Sequence, residues 1–202
     1  MSLPTQVLII RHGEKLGNPA DDTYGGPDLS VRGSARAAAL PSLFAPADYH
    51  AFQLSCALAR TPHDFAGAYI PVSIAGSQPR FATPDFIFAT KKSHHSNRPV
   101  ETITPLKSAL NLDDHHYDHE HSDDDYATVA SDILTKSKYV GKIVLICWHH
   151  GKIPALAQSL GIAGPPKWPD SVFDRVWQIT WPNGQATLAI QCQMLLYGDT
   201  AE

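Results

Sequence analysis

Two short runs hold the residues most able to do chemistry: Arg11-His12-Gly13 and His149-His150-Gly151. Each closes an apolar stretch, Val7-Leu8-Ile9-Ile10 before the first and Ile143-Val144-Leu145-Ile146-Cys147-Trp148 before the second. Val and Ile favour a pleated, buried surface, so both stretches read as core strands. Ligands bind at the carboxyl ends of strands in open α/β sheets. Imidazoles and a guanidinium meeting at such an edge suit an anionic substrate. A neutral imidazole offers a lone pair to an electrophile near neutral pH. Guanidinium stays charged and forks onto phosphate or carboxylate oxygens. Gly13 lets the backbone turn tightly or approach a ligand closely.

On these residues the chain resembles the histidine phosphatase superfamily, also called phosphoglycerate mutase-like. That family's signature is Arg-His-Gly after the first strand, matched at residues 11–13. Asn18 stands at the spacing of a family asparagine, and Asp28-Leu29-Ser30-Val31-Arg32-Gly33 resembles the family's approach to its first helix. A second family arginine lies early in a later helix in a Ser-x-x-x-Arg-x-x-x-Thr context. The segment from Ser93 through Arg98 to Thr102 is similar. The family's second histidine usually precedes Gly, which favours His150 over His149.

The resemblance implies a phosphatase of a small phosphomonoester that needs no metal or cofactor. His12 would become a phosphohistidine that water hydrolyses. Arg11 and Arg98 would hold the phosphate oxygens. His150 would donate to the phosphoryl group, as imidazolium beside the dianion. Asn18, Gly13 and His149 are expected to contact substrate, and Arg60, in Ala59-Arg60-Thr61, is a second choice for the arginine role or a further contact. Phosphoryl transfer depends on positioning and charge stabilisation, which these groups supply. The family acid that protonates the leaving group sits in a local motif absent here. Glu101, His149, Asp113 and Asp114 are the candidates, although Glu101 also reads as a first-turn helix acid favoured by the helix dipole. The same site could run a mutase, or be a phosphate- or phosphoprotein-binding module without turnover. The tract from Asp113 to Asp125, with His115, His116, His119 and His121, invites a metal-binding reading. It lacks a closed zinc spacing and reads as a solvated loop.

The elements that must position these residues follow from periodicity. Strands are expected at Gln6 to Ile10, Asp85 to Ala89 and Ile143 to Trp148. Arg175 to Trp181 and Ala186 to Gln191 flank Pro182-Asn183-Gly184, a hairpin signal. Helices are expected from Val31, capped by Ser30, to about Phe44; from Pro99 to about Leu110; from Tyr126 to Ser137; and from Ile153 to Leu160. Strands alternating with helices predict an α/β three-layer sandwich with a mostly parallel sheet and an antiparallel edge. One domain is expected over residues 1–202, with 45–83 reading as an insertion or cap over the pocket and a short helix near 60–66. Trp168, Phe173, Trp177 and Trp181 read as packing.

The 202 residues include 43% hydrophobic types, enough for a core, and carry a net charge of −4, with no basic footprint for nucleic acid. No apolar run reaches membrane-spanning length. With no charged stretch before a long apolar run at the start, no signal peptide is expected. Cys56, Cys147 and Cys192 show no metal spacing and suit a reducing compartment, so a cytoplasmic location is expected.

Overall fold

The computed structural model describes residues 3–17, 25–45 and 79–199. Most of the 45–83 segment, with Arg60, Cys56 and the helix expected near 60–66, lies outside them, as does Asn18.

Six strands form one sheet in the order β3-β2-β4-β1-β5-β6. They are β1 (Gln6–Arg11), β2 (Phe86–Ala89), β3 (Tyr117–Asp118), β4 (Ile143–Trp148), β5 (Arg175–Thr180) and β6 (Thr187–Cys192). The first four run parallel, with β5 and β6 antiparallel at one edge. A parallel strand covered on both faces needs a continuous apolar run, and β1 is buried at every position. Alternate side chains of β1 enter two different cores. Leu8 and Ile10 pack with Leu40, Phe44, Ile103 and Leu106. Val7 and Ile9 pack with Val129, Ile133, Leu156 and Trp177 on the opposite face. The first core is covered by α2 (Pro41–Phe44) and α3 (Arg98–Ala109), beside α1 (Val31–Ala39); the second by α4 (Tyr126–Thr135) and α5 (Ile153–Ser159). This is the expected three-layer α/β sandwich.

Three local departures have physical causes. The helix expected to run from Val31 to Phe44 is divided, because Pro41 offers no N–H to the preceding turn. Within the tract expected as a loop, Tyr117 is buried and forms β3 with Asp118, paired parallel to Ile87 and Phe88. The Asn-Gly hairpin closes through a short 3-10 turn at Pro182–Gly184 rather than a two-residue turn, with Asn183 and Gly184 at positive φ (56° and 80°). Trp168 and Trp177 are buried core residues with ring centroids 5.4 Å apart, in keeping with the packing reading.

Candidate active site

The β1–β4 register brings the two motifs together. Arg11 lies opposite Trp148, and the His12 N–H donates to the Trp148 carbonyl at 3.2 Å. The next residue along each strand is therefore His12 on one and His149 on the other. Their rings meet edge-on, with centroids 5.0 Å apart. His150, favoured from its following glycine, turns instead toward the loop after α5, where its Nε2 pairs with Asp170 at 3.0 Å. The adjacent pair shares a position: each of its histidines comes first after its strand.

His12 is 2% exposed, and its Nδ1 lies 2.7 Å from the Gly13 carbonyl oxygen. A carbonyl can only accept, so Nδ1 carries the proton and Nε2 carries the lone pair. Burial, then the charges of His149, Arg11 and Arg98, hold the imidazole pKa well below its ordinary value. The ring is thus neutral, with a defined tautomer. His149 is pushed down to about 4 by loss of surrounding water and by Arg98, His150 and Arg11. It too is neutral near pH 7.

Arg11 is buried at the end of β1. Its Nη1 donates to the carbonyls of Asp170 at 2.6 Å and Val172 at 3.0 Å, and its guanidinium lies 3.7 Å from the centre of the Phe173 ring. Burial lowers its pKa to about 9, against the opposing pull of Asp170 and Glu14. Phe173 also faces His12 at 6.1 Å, so this aromatic packs the site as well as the loop. Among the described residues, Arg11 Nε is buried with no hydrogen-bond partner.

Arg98 opens α3 and is 9% exposed; its Nη1 donates to the Gly26 carbonyl at 2.9 Å. Its charge reaches His12, His149 and Arg11, which places all four groups in one electrostatic site. Thr102, one turn later, joins α3 to the histidine loop. Its Oγ1 accepts from the Gly13 N–H at 2.8 Å and donates to the Arg98 carbonyl at 2.7 Å. The close approach at Gly13 is to the start of α1, where an added Cβ would meet the Gly33 carbonyl at 2.9 Å.

Of the candidate acids, His149 adjoins His12, and the carboxylates are engaged with other partners. Glu101 Oε2 accepts from the Leu29 N–H at 2.8 Å, tying α3 to the segment before α1. Asp113 binds His116 at 2.6 Å and Asp114 binds Lys107 at 2.9 Å. Both precede β3, at the amino-terminal edge of the parallel strands and away from His12. Among the described residues, no group of three or more His, Cys, Asp or Glu could hold a metal ion, and no helix is long and apolar enough to cross a membrane.

No family model and no curated protein matches the chain. Solved structures do. The protein histidine phosphatase SixA complexed with tungstate aligns over 93% of this chain and 97% of its own, with 13% identity and a TM-score of 0.50. A mycobacterial glucosyl-3-phosphoglycerate phosphatase aligns over 92% and 97%, with 14% identity and a TM-score of 0.50. The chain therefore has the fold of the histidine phosphatases, the phosphoglycerate mutase-like α/β class. Both of these neighbours are phosphatases by name.

Proposed function

We propose that the protein is a metal-independent phosphatase acting on small phosphomonoesters through a phosphohistidine on His12. The observation carrying this reading is the buried, neutral His12 ring, whose Nδ1 is committed to the Gly13 carbonyl while Nε2 keeps its lone pair. In the first step Nε2 attacks phosphorus and the ester P–O bond breaks. In the second, water attacks phosphorus, the N–P bond breaks and inorganic phosphate leaves. Arg11 and Arg98 neutralise the equatorial oxygens. A phosphate oxygen would also give the buried Arg11 Nε the acceptor it lacks among the described residues. His149, rather than His150, supplies the second imidazole at the phosphoryl group, because its ring adjoins His12. Asn18 and Arg60 remain candidate substrate contacts on their sequence positions.

The test is hydrolysis of nitrophenyl phosphate in EDTA by wild type and His12→Ala, with acid quench to trap an acid-labile phosphoenzyme. Turnover and trapped phosphate in wild type alone are expected. Turnover by His12→Ala would refute the nucleophile. A folded wild type that binds tungstate or vanadate without turnover would make the protein a binding module instead.

A further inference from the structure

His12 is 2% exposed, so it forms the floor of the site. In-line displacement sends the leaving oxygen away from the nucleophile, which here means outward. His150 follows the half-buried His149 at this edge, and its own side chain is 32% exposed. Its Nε2 is 3.0 Å from the Asp170 carboxylate, whose oxygens can only accept when ionised. Nε2 thus carries a proton and Nδ1 is left to exchange one. Asp170 is held from behind, since its own carbonyl takes the 2.6 Å hydrogen bond from Arg11 Nη1. One residue therefore links the proposed phosphate-binding arginine to the outer histidine.

We propose that His150, oriented by Asp170, is the general acid that protonates the leaving group. This rests on the phosphatase reading above. As the P–O bond breaks and the P–Nε2 bond to His12 forms, the Nδ1 proton of imidazolium His150 passes to the leaving oxygen, releasing an alcohol. Neutral His150 then takes a proton from the attacking water as the N–P bond breaks, restoring imidazolium and free His12. The sum is ester plus water giving alcohol plus phosphate. His150 is faced by Asp170, which favours its charged form, and by Arg11 and Lys15, which oppose it together with burial; its pKa in the free site is lowered. A bound phosphate dianion shifts that balance toward imidazolium. Asp170 is a positioning residue, acting through His150.

The experiment compares wild type, His150→Gln and Asp170→Asn on nitrophenyl, phenyl and alkyl phosphates. Both variants should lose kcat/KM by a factor that grows with the basicity of the leaving oxygen. For His150→Gln and alkyl esters the loss should reach the 10²–10⁴-fold order typical of a general acid. Asp170→Asn should also move the alkaline limb of the alkyl-phosphate pH profile to lower pH, because it removes the charge favouring imidazolium. Asp170 is largely exposed, so this variant should fold. An equal loss on every ester would overturn the acid role while leaving the phosphatase reading intact. Absence of turnover by wild type on all three would overturn the phosphatase reading and this inference with it.

Discussion

At the scale of the residue, the site depends on which atoms are already committed. The His12 Nδ1 is held by Gly13, and Gly13 is held through its N–H by Thr102. Thr102→Val keeps the shape of the side chain and removes that acceptor, leaving a buried N–H unsatisfied at a cost of about 1–3 kcal/mol. The expected outcome is a lower urea midpoint and a fall in nitrophenyl phosphate turnover, since the carbonyl that fixes the His12 tautomer loses its anchor. Retention of full activity at reduced stability would show that Thr102 acts on folding alone. The residues of the site were unevenly legible. Arg11, His12 and Arg98 stand out by type and context. The choice between His149 and His150 depended on strand register, which a following glycine does not report. Glu101 stands in the first turn of α3, where the sequence places it as a helix acid, but the sequence does not report the backbone N–H it accepts from.

At the scale of the element, long apolar runs were readable and short or polar ones were not. β1 and β4 are buried almost throughout, so their sequences are continuous hydrophobic stretches. β3 is two residues long within a run of Asp and His, where the Tyr117 side chain turns inward. The packing of α1 on the histidine loop is likewise a tertiary fact. An added Cβ at Gly33 would lie 2.3 Å from the Glu14 carbonyl oxygen and 2.8 Å from its nitrogen. Helix propensity alone gives Gly33→Ala a gain of about 1 kcal/mol. We expect the reverse sign, because α1 must move off the loop that carries His12. Thermal unfolding and turnover measured together check this, and a stabilised, active variant would contradict the packing argument. Asp123 offers a second test in the turn before α4. Burial raises its carboxyl pKa to about 6, and its Oδ1 is buried without a partner among the described residues. Asp123→Asn removes the cost of ionising it. The variant should gain of order 1 kcal/mol above pH 6, allowing for partial exposure. That gain should fade as pH falls from 6 and be gone below 3.8, where the wild-type carboxyl becomes neutral in both states.

At the scale of the whole molecule, a fold that keeps two imidazoles neutral at one sheet edge makes its stability depend on pH. His149 has a pKa of about 4 in the folded protein against 6.5 for the unperturbed ring. Between these values the unfolded chain binds a proton that the folded one does not, so stability falls as pH drops through that window. His12 acts in the same direction. Asp123 opposes them between about 6 and 3.8, where the folded state binds the extra proton. Asp199 enters only lower down. Its ion pair with Arg36, at 2.8 Å, fastens the last described turn to α1 and helps hold its pKa at about 2. The stability it contributes is present above 3.8 and lost as pH falls toward 2. Urea unfolding across pH 6.5 to 4 should therefore show a decline in wild type that His149→Gln flattens by about 3 kcal/mol. A phosphate analogue should act on the same equilibrium. An oxyanion between Arg11, Arg98 and His149 raises the His149 pKa, so vanadate should bind with proton uptake and more tightly as pH falls from 6.5. The proton uptake should fall in His149→Gln to the share that His150 takes up. If wild type and variant decline in parallel and vanadate affinity ignores pH, then the desolvated imidazole beside His12 is not what couples the site to the fold.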